Sequence, residues 1–175
     1  MKFICECCGK EQESWPAIGY KTPRFYHELS KEEKAKNAEI DSDICIVKDG
    51  DTTYRFIRGV LIQKVNNSCQ DLEYGVWVSL SQKSFDDYIK NSNKEEHREI
   101  YFGWFNTYIP DYEYEEQFEI KTNVLTQGNG KRPIIEIQRN EGSSSKLVSD
   151  FFGGISEEEA ITPKHNTPLA LRTVA

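Results

Sequence analysis

Apolar and polar positions alternate most regularly between Leu72 and Leu80, where Leu72, Tyr74, Val76, Val78 and Leu80 take every second place. That period is the signature of a strand with one buried face, and it predicts the central strand of a sheet around Trp77. Upstream, Thr53 to Val65 is rich in β-branched and aromatic residues and predicts a second long strand. The apolar positions change face at Gly59, which predicts a bulge there. Ile44 to Val47 forms a shorter strand, and Lys48-Asp49-Gly50-Asp51 carries the Asp-Gly chemistry of a tight hairpin turn. Phe118–Thr126 and Arg132–Arg139 predict two more strands joined by the glycine-rich Gln127–Lys131. The aromatic run Ile100–Phe105 has no clear period.

Helical signals are short. Ser30 followed by Glu33 is a capping box ahead of Lys31–Ala38. Ser84 is placed to cap a helix to about Lys90, with Phe85, Tyr88 and Ile89 as its buried stripe. Lys146–Phe152 is stopped by Gly153-Gly154, and Ser156–Glu159 opens a last short helix. The expected fold is α+β: a mostly antiparallel sheet with short helices inserted and a small cysteine-containing knuckle at the amino terminus. One domain is expected over residues 1–160, with the knuckle in 1–19 and a tail over 161–175.

Composition narrows the function classes. The chain of 175 residues carries 22 basic and 29 acidic side chains, a formal net charge of -7. A field of that sign repels phosphate backbones, so nucleic acid is not the expected partner. There is no run near the ~20 apolar residues of a membrane span, nor one of the ~7–15 that an export signal needs at the amino terminus. A cytoplasmic protein without a membrane partner is therefore expected. Five cysteines in a reducing compartment point to thiols or metal ligands rather than disulfides.

Cys5-x-x-Cys8-Gly9 is half of a zinc site, since two thiolates at that spacing chelate one ion and a closed site needs four ligands. Cys45 is the distant candidate for a third ligand and His27 for the fourth; the opposing reading makes Cys45 a small core residue and Cys5, Cys7 and Cys8 free thiols. No catalytic residue stands out. His97 and His165 lie in polar surroundings and are expected to be solvated, and neither a nucleophile elbow nor a phosphate-binding loop is present. Gly128-Asn129-Gly130-Lys131 is read as a hairpin tip.

The segment Asp111-Tyr112-Glu113-Tyr114-Glu115-Glu116 mixes carboxylates with rigid aromatic area. Such a pattern suits docking to a basic protein, against the alternative of a solvated acidic loop with its tyrosines packed inward.

The chain also resembles DUF2199, a bacterial family of unknown function. The resemblance runs from Phe3 to about Glu159. It rests on Cys5-Glu6-Cys7-Cys8-Gly9, Asp43-Ile44-Cys45, Phe56–Leu61, Tyr74–Ser81, Tyr101-Phe102-Gly103-Trp104 and Arg132–Glu136. It implies a small cytoplasmic protein and no known activity. The family pattern puts a histidine shortly after Cys-x-x-Cys-Gly, where this chain has Gln12, a poor zinc ligand. Cys7, Glu11, Glu13 or His27 would have to fill that position. The favoured function is a non-enzymatic protein-binding module, of which an immunity-type inhibitor of a toxin is one form. The alternative is a metal-dependent enzyme that uses the cysteine cluster.

Overall fold

Two long antiparallel strands, Thr52–Gln63 and Leu72–Leu80, organise the chain. The computed structural model describes residues 2–4, 11–13, 17–114, 117–139 and 145–161. In order these form β1 (Lys2–Ile4), β2 (Glu11–Glu13), β3 (Ile18–Gly19), α1 (Arg24–Glu28), α2 (Lys31–Asn37), β4 (Ala38–Ile40), β5 (Ile44–Asp49), β6 (Thr52–Gln63), β7 (Leu72–Leu80), α3 (Gln82–Asn91), β8 (Ile100–Phe105), β9 (Lys121–Leu125), β10 (Ile134–Ile137), α4 (Lys146–Gly153) and α5 (Glu157–Ile161). The β1–β2 pair stands apart, and the other strands form one mixed sheet.

That sheet closes. Antiparallel pairing runs β6–β7–β8–β9–β10, and β10 then returns parallel to β6, with Ile134 opposite Val60. The result is an α+β fold built on a closed barrel, with β3, β4 and β5 as extensions. Most pairings are antiparallel, as expected; the closure was not foreseen. Position Cys5–Gly9 of the expected knuckle lies outside the described residues, as does the tail beyond Ile161.

The strictly alternating positions of β7 fill the barrel with Ile57 and Leu61 of β6, Phe105 of β8, Val124 of β9 and Ile135 of β10. Trp77 faces the other way and is still fully buried, because a second layer covers the outside of β6 and β7. Its indole Nε1 donates to the Tyr20 carbonyl at 2.9 Å, and Phe25 of α1 lies 4.5 Å from the Tyr54 ring and 6.2 Å from the Phe56 ring. Burying such side chains stabilises by about 1.5–3 kcal/mol each.

Helices seal both ends of the long strands. α3 follows β7 and packs on β6 and β7 through Phe85 and Tyr88. It starts earlier than the sequence suggests, since Ser81 rather than Ser84 is its cap, and Ile89 points outward at 44% exposure. The far end of β6 is held by Gln63, whose Nε2 donates to the Asp150 carbonyl of α4 at 2.6 Å. The capping box at Ser30 and Glu33 is formed as expected, with bonds of 3.2 and 2.8 Å.

β6 carries no bulge. Its register with β7 runs unbroken from Arg55 opposite Leu80 to Gln63 opposite Leu72. Gly59 is required for another reason: a Cβ there would come within 2.6 Å of the Ile135 side chain and 2.8 Å of the Pro133 carbonyl. The glycine lets β10 approach β6 and so permits closure.

Candidate functional site

The acidic–aromatic segment lies between β8 and β9, and the structure divides it. Asp111 and Tyr112 turn inward to a small cavity beside α4, which Tyr74, Lys146, Asp150 and Glu159 also line. The Lys146 ammonium lies 5.7 Å from the centre of the Tyr112 ring and bonds to Asp150 at 2.5 Å. Burial, followed by the Tyr74 and Asp150 neighbours, pushes the Tyr112 phenol well above its ordinary value. Glu113 and Tyr114 face solvent. Glu115 and Glu116 lie outside the described residues.

Tyr114 is part of a rigid aromatic platform. Its ring meets Tyr108 edge-on at 5.5 Å and Phe118 at 4.9 Å. The Arg24 guanidinium covers Phe118 at 3.6 Å, and the Tyr114 hydroxyl hydrogen-bonds to Glu28 on α1. Buried Gln117 pins the loop beneath: its Oε1 accepts from the Ile109 N–H at 2.7 Å, while its Nε2 donates to the Ile109 and Tyr112 carbonyls at 3.1 and 3.0 Å. Upstream, Ile100, Phe102 and Trp104 occupy the outward face of β8, exposed by 67%, 47% and 41%.

The metal candidates are not brought together among the described residues. Cys5 and Cys8 fall outside them. Cys45 is fully buried on β5, and burial, with a smaller effect of Asp41, pushes its thiol up to about 12. A zinc ligand must be the thiolate, which such an apolar setting disfavours. His27 is exposed on α1. Among the described residues no group of three or more histidine, cysteine, aspartate or glutamate side chains is placed to hold a metal ion.

His97 is not solvated. It is 7% exposed, and its Nε2 lies 2.9 Å from the Tyr101 hydroxyl, which donates to Asp87. Asn91 supplies a further bond to Asp87 at 2.8 Å. The Tyr101 bond is the main reason that the Asp87 carboxyl is held below its usual range. Burial and then the Asp87 bond raise the Tyr101 phenol. Asp87 and Tyr101 line an open groove between α3 and β8 with Lys83, Ser84, Lys90 and Glu99. The polar run around His97 hid this arrangement, because both partners come from other elements; the spacing of Asp87 and Asn91 on one helical face was the available signal.

A family model described as "Uncharacterized protein conserved in bacteria (DUF2199)" matches residues 4–155. The chain belongs to this family. The DUF2199 match spans the whole barrel and α4, and ends at Ile155, which bridges to Val65 after β6. Searches of curated proteins and of solved structures find no match. Among the described residues no helix is long and apolar enough to cross a membrane.

In this DUF2199 chain several of the segments that carry the resemblance meet in space. The Arg58 N–H donates to the Asp43 carbonyl at 2.8 Å, and the Val60 N–H to the Pro133 carbonyl at 2.9 Å. A Cβ on Gly75 would lie 3.1 Å from the Arg58 guanidinium.

Proposed function

We propose that this DUF2199 protein is a non-enzymatic protein-binding module that docks its partner on the aromatic surface running from β8 through the Tyr108–Phe118 loop. The observation that carries this reading is the exposure of Ile100, Phe102, Trp104, Tyr108, Tyr114 and Phe118 along one stretch of chain. Exposed apolar area gathered in one place marks an interaction site, and aromatic side chains with an arginine are the types that dominate binding energy. Gln117 fixes the loop before any partner arrives, which lowers the entropy lost on binding. The net charge of -7, with Glu113 exposed beside Tyr114, favours a basic partner. An acidic immunity-type inhibitor of a basic toxin fits both features.

The test is a pull-down from bacterial lysate at low and high salt, with Tyr114→Ser/Phe118→Ser and Glu113→Lys as comparisons. The expected result is a basic protein held by the wild type, reduced by about tenfold or more in the aromatic double variant, and more weakly held at high salt. Equal capture by correctly folded variants, or no capture by the wild type, overturns the proposal.

A further inference from the structure

The edge of β6 changes partner at Arg58, from β5 on one side of this point to β10 on the other. Where those two strands part, three charged side chains meet. Arg132, just before β10, bonds through Nε to Asp43 Oδ1 at 2.5 Å, and the Ser42 hydroxyl donates to Asp43 Oδ2 at 2.6 Å. Arg58 projects from the outer face of β6 beside them.

Arg58 is 8% exposed, yet its donors are almost unused. Its Nε is buried without a hydrogen-bond partner. Among the described residues its one side-chain hydrogen bond is from Nη1 to the Ser42 carbonyl at 3.5 Å, the outer limit of such a bond. A guanidinium offers five N–H donors, and a buried cation is normally paired because leaving it unpaired is costly. Asp43 attracts Arg58 through space but accepts no hydrogen bond from it, its carboxylate being held by Arg132 and Ser42. Burial, then repulsion from Arg132, acts against the charged form of Arg58, and the attraction of Asp43 only partly offsets them.

We propose that Arg58 and Arg132 form a binding site for a small carboxylate, a free organic acid seated against the Arg58 guanidinium with Arg132 at the rim. The rim is open, with the side chains of Arg132 and Asp43 35% and 40% exposed, while Arg58 lies beneath it at 8%. Arg132 engages Asp43 through Nε alone, so its terminal nitrogens have no hydrogen-bond partner among the described residues. Two guanidinium groups and one carboxylate leave a single positive charge, which one carboxylate neutralises. A phosphate dianion would overcompensate that charge beside Asp43. This site is separate from the aromatic surface and stands whether or not a protein partner docks there.

The experiment is a titration of the intact protein with acetate and with succinate, against chloride at matched ionic strength, read from the Arg58 Nε–Hε signal by NMR. The expected result is a saturable shift, weakened by about tenfold or more in Arg132→Gln, as for loss of a bond to a charged group. Arg58→Met is expected to abolish binding; if that variant does not fold, the wild-type and Arg132→Gln titrations still decide. No saturable shift with either acid overturns the site, as does equal binding by Arg132→Gln. Tighter binding of inorganic phosphate than of either acid overturns the ligand class.

Discussion

His97 Nε2 lies 2.9 Å from the hydroxyl of Tyr101, and that hydroxyl has only one proton, which it gives to Asp87. The bond between the two rings must therefore carry a proton from the imidazole, so His97 is an Nε2–H donor. A relay of this kind joins a buried ring to a carboxylate on the wall of an open groove.

Replacing Tyr101 by Phe removes the main cause of the low Asp87 value, so the Asp87 carboxyl is expected to rise towards the ordinary value of about 3.9. A carboxyl depressed in the folded state stabilises the fold above its unfolded value and loses that contribution as pH falls through the lower folded value. Urea midpoints measured below pH ~4 should then decline less steeply in Tyr101→Phe than in the wild type. Carboxyl carbon shifts followed by NMR check the Asp87 titration directly; an unchanged titration refutes the assigned cause.

Gly59→Ala is expected to destabilise by about 1–3 kcal/mol, the usual cost of overpacking. The added methyl meets the Ile135 side chain at 2.6 Å and a backbone carbonyl at 2.8 Å, across the pairing that closes the barrel. Adding Ile135→Val should recover part of the loss, seen as a favourable coupling in a double-mutant cycle by urea denaturation. A purely additive cycle would show that the clash is relieved elsewhere.

Cys45 is expected to resist alkylation by iodoacetamide at pH ~8 in the native protein and to react on unfolding, because the thiolate is the nucleophile. Its folded value is raised to about 12, so its contribution to stability is complete below the free thiol value and is lost as pH rises towards that figure. Peptide mass spectrometry reads the labelling, and labelling of native Cys45 at the rate of a free thiol would contradict its burial.

The individual strands were readable because their information is local. Leu72, Tyr74, Val76, Val78 and Leu80 share one face in strict alternation, and Gly50, at a φ of 57°, sits in the two-residue turn between β5 and β6 where the Asp-Gly signal placed it. Closure was not readable, because the pairing of Ile134 with Val60 joins segments far apart in the chain and leaves no periodic trace. Ile100–Phe105 had no visible period since both faces are apolar: Phe105 fills the barrel, while Phe102 and Trp104 stay outside. The inward turn of Asp111 and Tyr112 was equally hidden, because it depends on Lys146 and Asp150 of α4. Gly59 misled for a related reason: its role is set by Ile135, which sequence neighbours do not reveal.

The ribbon that closes on itself has ends of only two residues at β3 and three at β4. An invading strand from another molecule would find two or three rungs to grip at either end, too few to seed a fibril. Wrapping the longest strands into a ring thus leaves short strands at the two limits of the main sheet among the described residues.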